Sequence, residues 1–269
     1  MQVFSHFPDD QKLFGFNYTS PELNDIEHTH EYDELVIVDK GCGLHIFNGE
    51  LHFIQEGDLF LVKETDRHFY SELGTLSLMS VYINTKYQFH YLTNIYQILN
   101  TIYVPNQKML SWLMPKDKEA TLYLIRQLDN INQNANTEIR QIQSELIMMQ
   151  LLNTIASRKE SRQRSHTQYK VRQVLLYLQE NFHNEINWQE LADKFFITYK
   201  TMTQKIKELT GMTTVNYLNR LRVLSARDKI LHTDDSITEI SGLVGFNNSE
   251  YFSKCYKRNF GISPSEERK

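Results

Sequence analysis

The sequence predicts an α+β protein in which an N-terminal β-barrel and a set of dimerisation helices precede an all-α domain with two helix-turn-helix motifs. Three observations lead to this prediction. Short apolar runs separated by turn residues extend from residue 12 to about 84, and helical periodicity follows from residue 86 to 158. The remaining C-terminal part of the chain contains an internal repeat with a period of about 50 residues.

The N-terminal half has the pattern of an all-β barrel or sandwich, because several short strands recur at regular spacing. A turn at Gly41-Cys42-Gly43 closes the first of these strands, and the Asn48-Gly49 dipeptide is the strongest signal for a two-residue hairpin. The predicted strands cover residues 35–38, 44–47, 51–54, 59–62 and 76–83.

Three helices are predicted between the barrel and the repeat. The first is indicated by apolar residues at helical spacing, namely Phe89, Leu92, Ile95 (or Tyr96) and Leu99. A shorter helix is expected at residues 118–130, and a long one within residues 136–158, which contain no Gly or Pro. The apolar stripe of the long helix consists of Ile139, Ile142, Leu146, Met149 and Leu152. We expect this stripe to face a second subunit in a homodimer; the alternative is that it packs on its own barrel.

The composition and charge divide the chain into parts with different partners. Residues 1–166 carry 14 Lys and Arg against 21 Asp and Glu, a net charge of −7, whereas residues 167–269 carry 15 against 12, a net charge of +3. A polar, charged stretch around residues 157–166 reads as an interdomain linker. The predicted parts are an N-terminal domain with its dimerisation helices at 1–157, a linker at 158–168, and a C-terminal domain at 169–269 with repeat units at about 186–210 and 236–260.

Several classes of protein are disfavoured by the sequence. The start lacks a basic stretch followed by an apolar run, so we expect no signal peptide, and no segment is long and apolar enough for a membrane span. Cys42 and Cys255 lie far apart and indicate neither a disulfide framework nor a zinc site. A reducing cytoplasm is the expected compartment.

The repeat predicts that one small helical device occurs twice. Residues 190–192 align with 239–241 at an offset of 49, and Met202, Ile206 and Gly211 align with Phe252, Tyr256 and Gly261 at an offset of 50. One additional residue in the second turn accounts for the difference. Each unit reads as a helix, a tight turn and a second helix with an apolar stripe inside and polar side chains outside, as major-groove docking requires. The alternative is a helical bundle whose outer faces are merely solvated.

The second helix of each unit is expected to read DNA. Thr198 is placed to cap the first of these helices and Gly211 to end it. A connecting helix carrying Tyr217, Leu221, Leu224 and Leu231 would hold the two recognition helices about 34 Å apart, one turn of DNA. The outward, polar residues of the recognition helices are Lys200, Thr203, Gln204 and Lys207 in the first unit and Ser249, Glu250, Lys254 and Lys257 in the second.

The same region resembles the signature of AraC/XylS-type transcription regulators. The resemblance rests on residues 217–222 (YLNRLR), 245–254 (GFNNSEYFSK) and 260–264 (FGISP), in that order over about 100 residues. It implies a bipartite domain that binds double-stranded DNA and usually activates transcription by contacting RNA polymerase. Carried over by position, it assigns base reading to Lys200, Thr203 and Gln204 and to Ser249, Glu250 and Lys254. Ser241 departs from the usual Ala, but a small residue still fits.

A second resemblance concerns the sensor half, where His28, His30, Glu34 and Gly41, followed by Gly57 and His68, are similar to the two cupin motifs. The pattern departs from those motifs at Glu22, Lys63 and Thr65. In a cupin barrel, His28, His30, Glu34 and His68 would form a metal site. Three interpretations stay open: a barrel whose polar residues have no function, a pocket for a small polar effector, or an occupied metal site or enzyme.

Several segments, among them residues 45–49, 66–70 and 185–188, are most similar to the activators of bacterial L-rhamnose operons. This resemblance implies a sugar effector, held by donors and acceptors from His28, His30, Glu34, Arg67 and His68. The predicted function is an effector-responsive activator of sugar catabolism genes, with no enzymatic activity and with a divalent metal in the barrel as an open alternative. The runner-up is a metal-dependent cupin enzyme fused to a DNA-binding domain.

Overall fold

The computed structural model divides the chain into two compact units, one of residues 1–43 and 54–162 and the other of residues 44–53 and 163–269. Residues 157–165, which contain most of the predicted linker, lie outside the described residues. The structure describes residues 2–7, 12–19, 26–102, 111–113, 115–134, 137–156 and 166–268.

The N-terminal part of the chain forms a curled eight-stranded sheet. Its strands are β1 (Gln2–Phe4), β2 (Phe14–Thr19), β3 (His28–His30), β4 (Asp33–Phe47), β5 (Glu50–Gln55), β6 (Asp58–Val62), β7 (His68–Ile83) and β8 (Ser111–Trp112). The strand order is β1-β3-β7-β4-β6-β8, with β2 paired to β7 and β5 paired to β4. The predicted α+β class is confirmed. The pairing of His28 with His68 brings two distant sequence segments together across β3 and β7.

The hairpin at residues 48 and 49 forms as predicted. Asn48 and Gly49 both have positive φ angles, 50° and 82°, the backbone of a two-residue turn whose twist matches that of the flanking strands. It joins β4 to β5.

Two strands are longer than predicted. The turn expected at residues 41–43 is wrong, because β4 continues through it as a single strand of 15 residues. Gly41 takes a φ of +75°, and its backbone passes so close to the carbonyl of Thr75 that a Cβ would lie 1.5 Å from that oxygen. Glycine is therefore needed here for close approach within the sheet, not for a chain reversal. Strand β7 begins at His68 and not at Leu76, since its polar first half still pairs through the backbone.

Three helices follow the sheet: α1 (Ile95–Ile102), α2 (Pro115–Asn134) and α3 (Thr137–Ala156). The first was predicted to include Phe89 and Leu92, but these residues precede α1 and reach the same apolar core from an irregular segment. The reason is a carboxylate: Glu145 of α3, fully buried, accepts backbone hydrogen bonds from His90, Tyr91 and Leu92 at 3.0, 2.6 and 2.7 Å. These amides therefore donate their hydrogen bonds to a side chain and not to the carbonyls of a helix.

Helix α3 has two apolar faces. One is buried in the core of the first unit through Ile147, Met148, Leu151, Leu152 and Ile155. The other is exposed: Ile139, Ile142, Leu146 and Met149 are 42–53% accessible. These four residues of the predicted stripe therefore do not pack on their own barrel within the described chain, whereas Leu152 does face inward.

The second unit is all-helical apart from the short hairpin segment. Its helices are α4 (His166–Asn181), α5 (Trp188–Lys194), α6 (Tyr199–Thr210), α7 (Thr214–His232), α8 (Ile237–Leu243), α9 (Ser249–Phe260) and α10 (Pro264–Glu267). Along α7 the predicted inward residue Leu231 is 46% exposed, and its neighbour Ile230 is buried instead. Cys255 packs in the core of this unit, and both cysteines are buried thiols. None of the described helices combines the length and apolar character needed to cross a membrane.

Candidate functional site

A cavity of about 240 Å³ opens within the curled sheet. Its walls are contributed by β1 to β4 and β7 together with residues 5, 6 and 32. The lining residues are Phe4, Ser5, His6, Asn17, His28, Tyr32, Glu34, His68, Tyr70, Leu78, Ser80 and Tyr82. This volume is far larger than the space one water needs and can hold a small organic ligand.

Alternation along β7 explains the composition of this wall. Successive side chains of a strand point to opposite faces, so Leu78, Ser80 and Tyr82 line the cavity. The residues between them belong to the apolar core, namely Met79, Val81 and Ile83. One strand thus separates a polar cavity from the main core of the unit.

Three predicted residues come together beside the cavity, and two of them, Glu34 and His68, line it. His30 ends β3, Glu34 is the second residue of β4 after a short turn, and His68 begins β7. The Nε2 atom of His30 lies 3.6 Å from Oε2 of Glu34, and Nε2 of His68 lies 3.8 Å from the same oxygen. All three side chains are buried, with exposed fractions of 1%, 9% and 0%. The sheet therefore assembles two imidazoles and one carboxylate from separate parts of the sequence.

The other two predicted effector residues lie differently. His28 lines the cavity with its ring centroid 4.4 Å from that of His68, and its Nδ1 is 2.9 Å from the carbonyl of Ile26. Burial lowers the pKa of His28, which favours the neutral imidazole. Arg67 is not brought to this group: its guanidinium forms an ion pair with Glu27 at 2.8 Å, away from the lining residues.

A tyrosine pair on the cavity wall was not predicted from the sequence. The rings of Tyr32 and Tyr82 lie 4.3 Å apart, and the ring of His6 approaches Tyr82 edge-on at 4.9 Å. The Tyr32 and Tyr82 hydroxyls are hydrogen-bonded to each other, and Tyr82 is also hydrogen-bonded to Asn17. Burial raises the pKa of both tyrosines well above the ordinary value, so both remain neutral donors and acceptors.

The period-two alternation of β7 places Ser80 and Tyr82 on the same face as Leu78, but it does not distinguish a cavity wall from a solvated surface. The same alternation joins Tyr32 to His28, His30 and Glu34 around the turn between β3 and β4. His6 lies outside regular structure and had no such signal. Its ring occupies the space over Gly15, where a Cβ would approach it to 2.3 Å.

The first helix-turn-helix unit consists of α5 and α6. Asn187 caps α5 through backbone bonds from Gln189 and Glu190, and Thr198 caps α6 by accepting from Thr201, as predicted. Gly211 ends α6 in the left-handed conformation, also as predicted. Met202, Ile206 and Thr210 form the buried side of α6, with Leu209 only half-buried.

The second unit consists of α8 and α9. Ser236 and Glu239 form a capping box at the start of α8, and Asn248 caps α9 by accepting from Tyr251. Phe252, Cys255 and Tyr256 form the buried side of α9, and Gly261 ends it in the left-handed conformation.

Most of the residues predicted to contact DNA lie on the outer faces of α6 and α9. The exposed ones are Lys200, Gln204, Lys207, Ser249, Glu250, Lys254 and Lys257. Thr203 is half-buried, and its hydroxyl donates to the carbonyl of Lys200 at 3.0 Å. Three of the others are engaged on their own helix: Gln204 donates to Glu208 at 2.8 Å, and Lys254 and Glu250 pair with each other at 2.7 Å.

Family models of known proteins match both the N-terminal and the C-terminal part of the chain. Residues 13–152 match the family model of the AraC-like ligand binding domain, and residues 191–269 match that of a helix-turn-helix domain. The chain therefore belongs to the AraC family of helix-turn-helix transcription regulators that carry a ligand-binding domain.

Within this family the chain is similar to proteins named HTH-type transcriptional activator RhaS. The relative from Mannheimia succiniciproducens is 35% identical over 243 residues, 90% of this chain and 88% of the relative. The relative from Enterobacter sp. (strain 638) is 32% identical over 269 residues, 97% of this chain and 94% of the relative. A solved AraC-type transcriptional regulator from Chromobacterium violaceum is 25% identical over 39% of this chain and 94% of that one, with a TM-score of 0.36.

These relatives correct one alternative from the sequence. A metal-dependent cupin enzyme fused to a DNA-binding domain is not supported. The similar proteins are named transcriptional activators, and the similarity covers 88% and 94% of their length.

Proposed function

We propose that this protein is a cytoplasmic, homodimeric transcription activator whose sensor unit binds a neutral sugar of the L-rhamnose type and whose α6 and α9 read an operator upstream of sugar catabolism genes. The observation that carries the effector proposal is the cavity of the first unit, which combines imidazole, carboxylate and phenol groups with aromatic faces. The RhaS-named relatives support the choice of sugar and the role as activator.

The charge of the cavity selects the ligand class. Among the described lining residues, Glu34 carries the only carboxylate and none is Lys or Arg. An anionic ligand such as a sugar acid or sugar phosphate would face this carboxylate without a compensating cation, so its binding is disfavoured. A neutral sugar instead offers hydroxyl groups to Glu34, His28 and the tyrosine hydroxyls, while aromatic rings cover its apolar faces.

A thermal-shift screen of neutral sugars, with the corresponding sugar acids and phosphates as matched controls, tests the ligand class. A ligand that binds only the folded protein raises its melting temperature. We expect L-rhamnose or a close relative to do so and the anionic analogues not to. A shift produced by the anions alone would contradict the proposal.

The cavity residues are tested by conservative variants. Tyr82→Phe and Glu34→Gln remove one polar contact each with little change in shape, and each should weaken the sugar response roughly tenfold, since a buried polar group left unpaired costs about 1–3 kcal/mol. Binding of the effector-free variants to operator DNA should be nearly unchanged. If both variants respond to sugar like wild type, the polar cavity is not the effector site.

The proposed dimer uses the exposed apolar face of α3. Ile142, Leu146 and Met149 would bury this face against the same face of a second copy in a two-fold arrangement. Leu146→Asp should then give a soluble monomer that binds a two-site operator far less tightly, because tethering raises the effective concentration of the second domain. Leu231→Asp places the same charge on an exposed leucine of α7 and should remain dimeric. Sedimentation measurements that show no difference between the two variants would exclude this interface.

The activator role requires a partner beyond DNA, and we infer RNA polymerase. The test is transcription in vitro from a sugar-operon promoter with purified RNA polymerase, with and without the protein and its sugar. Stimulation only in the presence of both is expected. Incubation of the protein with the same sugar should leave the sugar chemically unchanged, since the cavity is proposed to sense and not to convert it.

A further inference from the structure

The two helix-turn-helix units are connected at more than one place. Helix α7 packs against α6 of the first helix-turn-helix unit and against α8 and α9 of the second. A further connection is made by the loop at residues 182–184, which lies between α4 and α5. We propose that Arg222 holds this loop against the turn of the second helix-turn-helix unit, and so fixes the distance and rotation between the two recognition helices. Arg222 is in this view a positioning residue that makes the protein selective for the spacing of the two DNA segments it reads.

Arg222 lies on α7 and binds the loop through two backbone carbonyls. Its Nε donates to the carbonyl of Phe182 at 2.7 Å, and its Nη2 donates to that of Asn184 at 2.9 Å. The guanidinium also lies 5.6 Å from the centre of the Phe246 ring, in the turn between α8 and α9. A planar guanidinium presents several donors in a fixed geometry and stacks on aromatic rings, whereas a lysine ammonium is a point charge. One side chain therefore connects the loop, α7 and the turn of the second helix-turn-helix unit.

The loop also packs directly on the second helix-turn-helix unit. Phe182 packs against the apolar core that contains Phe246 and Phe252. The backbone of His183 passes so close to the turn that a Cβ on Gly245 would lie 2.6 Å from the His183 carbonyl oxygen and 3.0 Å from its Cα. The rings of Phe246 and Phe252 are 5.2 Å apart, and Phe252 belongs to α9. The loop is therefore in contact with the turn that precedes the second recognition helix.

The two ends of the loop belong to the first helix-turn-helix unit and its supporting helix. The loop follows α4, which packs against α6, and it leads to Asn187, the residue that caps α5. The amide of Asn184 donates to the carbonyl of Asn181 at 3.0 Å and closes the loop on the end of α4. A movement of one helix-turn-helix unit relative to the other would have to break the contacts of the loop. Two attachments, α7 and the loop, therefore resist both a change of distance and a rotation.

The consequence for DNA binding is geometric. Neighbouring base pairs are about 3.4 Å apart along the axis and, at about 10.5 per turn, are rotated by about 34°. When one base pair is inserted between the two segments, a rigid pair of recognition helices can keep the base contacts of only one helix. Two flexibly joined units would follow the shift at little cost. The spacing dependence of binding therefore measures the coupling between the units and not the contacts of either helix.

The experiment uses the full-length protein and a duplex of about 20 base pairs, enough for the two recognition helices of one chain, that wild type selects from a random-sequence pool. Base substitutions locate the two contacted segments, and altered duplexes carry one base pair more or one fewer between them. Wild type should bind both altered duplexes roughly 10- to 100-fold less tightly, because the base contacts of one helix are lost. Arg222→Lys keeps the charge but not the two-carbonyl contact, so its loss on the altered duplexes should be less than about fivefold.

Arg227→Lys is the matched control on the same helix. Arg227 binds Glu267 and lies 4.7 Å from the centre of the Phe260 ring, so this change leaves the loop in place, and the spacing dependence should remain that of wild type. Arg222→Gln, shorter and uncharged, is a second variant with the same expectation as Arg222→Lys, so the test does not depend on the folding of one variant. Thermal unfolding identifies the variants that fold.

Two results would overturn the inference. One is a wild type that binds all three duplexes with similar affinity. The other is a folded variant of Arg222 with the spacing dependence of wild type. Neither result bears on whether α6 and α9 read DNA, because the base substitutions within each segment test that role separately.

Discussion

The two helix-turn-helix units are built on the same backbone plan. Each recognition helix is capped by a polar residue, Thr198 or Asn248, and ends at a left-handed glycine, Gly211 or Gly261. Equivalent hydrogen bonds close the two turns: the amide of Ile197 donates to Ala192, and that of Phe246 donates to Ser241, at 3.1 and 3.0 Å. The additional residue of the second unit follows this bond and precedes Asn248.

The turns differ in the residue that takes the left-handed backbone. Gly245 does so in the second unit with a φ of +92°, and a Cβ at this position would lie 2.6 Å from the carbonyl oxygen of His183. The equivalent residue of the first unit is Phe196, with a φ of +52° and a side chain that is 84% exposed. Lys170 donates to its carbonyl and lies 5.9 Å from the centre of its ring. The first turn has open space where the second has a backbone neighbour.

The recognition helices differ in where their carboxylate lies. Each helix carries three cations and one carboxylate. In α6 the carboxylate is Glu208, in the C-terminal half, where it binds Lys205 and Gln204. In α9 it is Glu250, in the first turn, where a hydrogen bond from Lys254 holds the pKa of this carboxyl below its ordinary value.

This difference indicates that the two recognition helices contribute differently to DNA binding. The N-terminal half of a recognition helix lies nearest the bases. In α6 that half offers Lys200 with no carboxylate beside it, whereas in α9 it offers a carboxylate and a lysine that are paired to each other. We therefore expect α6 to supply more of the DNA affinity and α9 to discriminate through an acceptor, which suits a cytosine amino group.

The largest expected effect concerns the turns. Gly245→Ala should lower the free energy of unfolding by about 2–4 kcal/mol, because it adds left-handed strain and a contact with a backbone carbonyl that cannot move away. Phe196→Gly, at the equivalent position, should change it by less than about 1 kcal/mol, since relief of strain and loss of backbone order offset each other. Denaturant unfolding of the full chain measures both. Similar destabilisation by the two substitutions would show that the turns are not different in the way described.

The next effect concerns readout by α6. Lys200→Ala and Gln204→Ala should each weaken operator binding by about 1–3 kcal/mol and relax the preference at one or two base pairs. Lys207→Ala and its equivalent in α9, Lys257→Ala, should weaken operator and random DNA alike and reduce the salt slope by about one. Competition binding at several salt concentrations distinguishes the two classes. If all four variants lost equal affinity for operator and for random DNA, the role of α6 in reading bases would be contradicted.

The smallest effect concerns the carboxylate of α9. Glu250→Gln releases Lys254 and should strengthen binding to random DNA a few-fold with a steeper salt dependence, while discrimination at one base pair declines. Glu208→Gln is the matched change in the distal half of α6 and should do less on both counts. If the two variants strengthen random binding equally, the position of the carboxylate does not matter.

The helical half was largely predictable because its interactions are local. Neighbours in sequence determine the caps at Thr198 and Gly211 and the inward spacing of Met202 and Ile206. The repeat presents the same pattern a second time. Leu231 was predicted to be buried, but its neighbour Ile230 is buried instead. A helical pattern read from the sequence loses register over the five turns of α7, and a shift of one residue changes the predicted buried face.

The sheet was less predictable because its interactions are long-range. The continuity of β4 through Gly41 depends on a strand more than thirty residues away, and the start of β7 at His68 depends on pairing with β3. The cluster of His30, Glu34 and His68 was identified from motif spacing, but the tyrosines of the cavity were not, since a tyrosine in an alternating strand is also typical of a surface. The start of α1 was wrong because Glu145 captures amides from a distant segment.

The bonds of Glu145 have a mechanical consequence. The Glu145 carboxyl group accepts hydrogen bonds from three consecutive amides of the segment before α1. Its own helix, α3, carries the exposed apolar face that is proposed to contact a second subunit. Three hydrogen bonds in a buried environment tie residues 90–92 to α3, so we expect the two segments to move together. In the proposed dimer, we expect a rotation of α3 to carry these residues with it. The amides of His90, Tyr91 and Leu92, although in irregular structure, should exchange with solvent as slowly as those of a core helix.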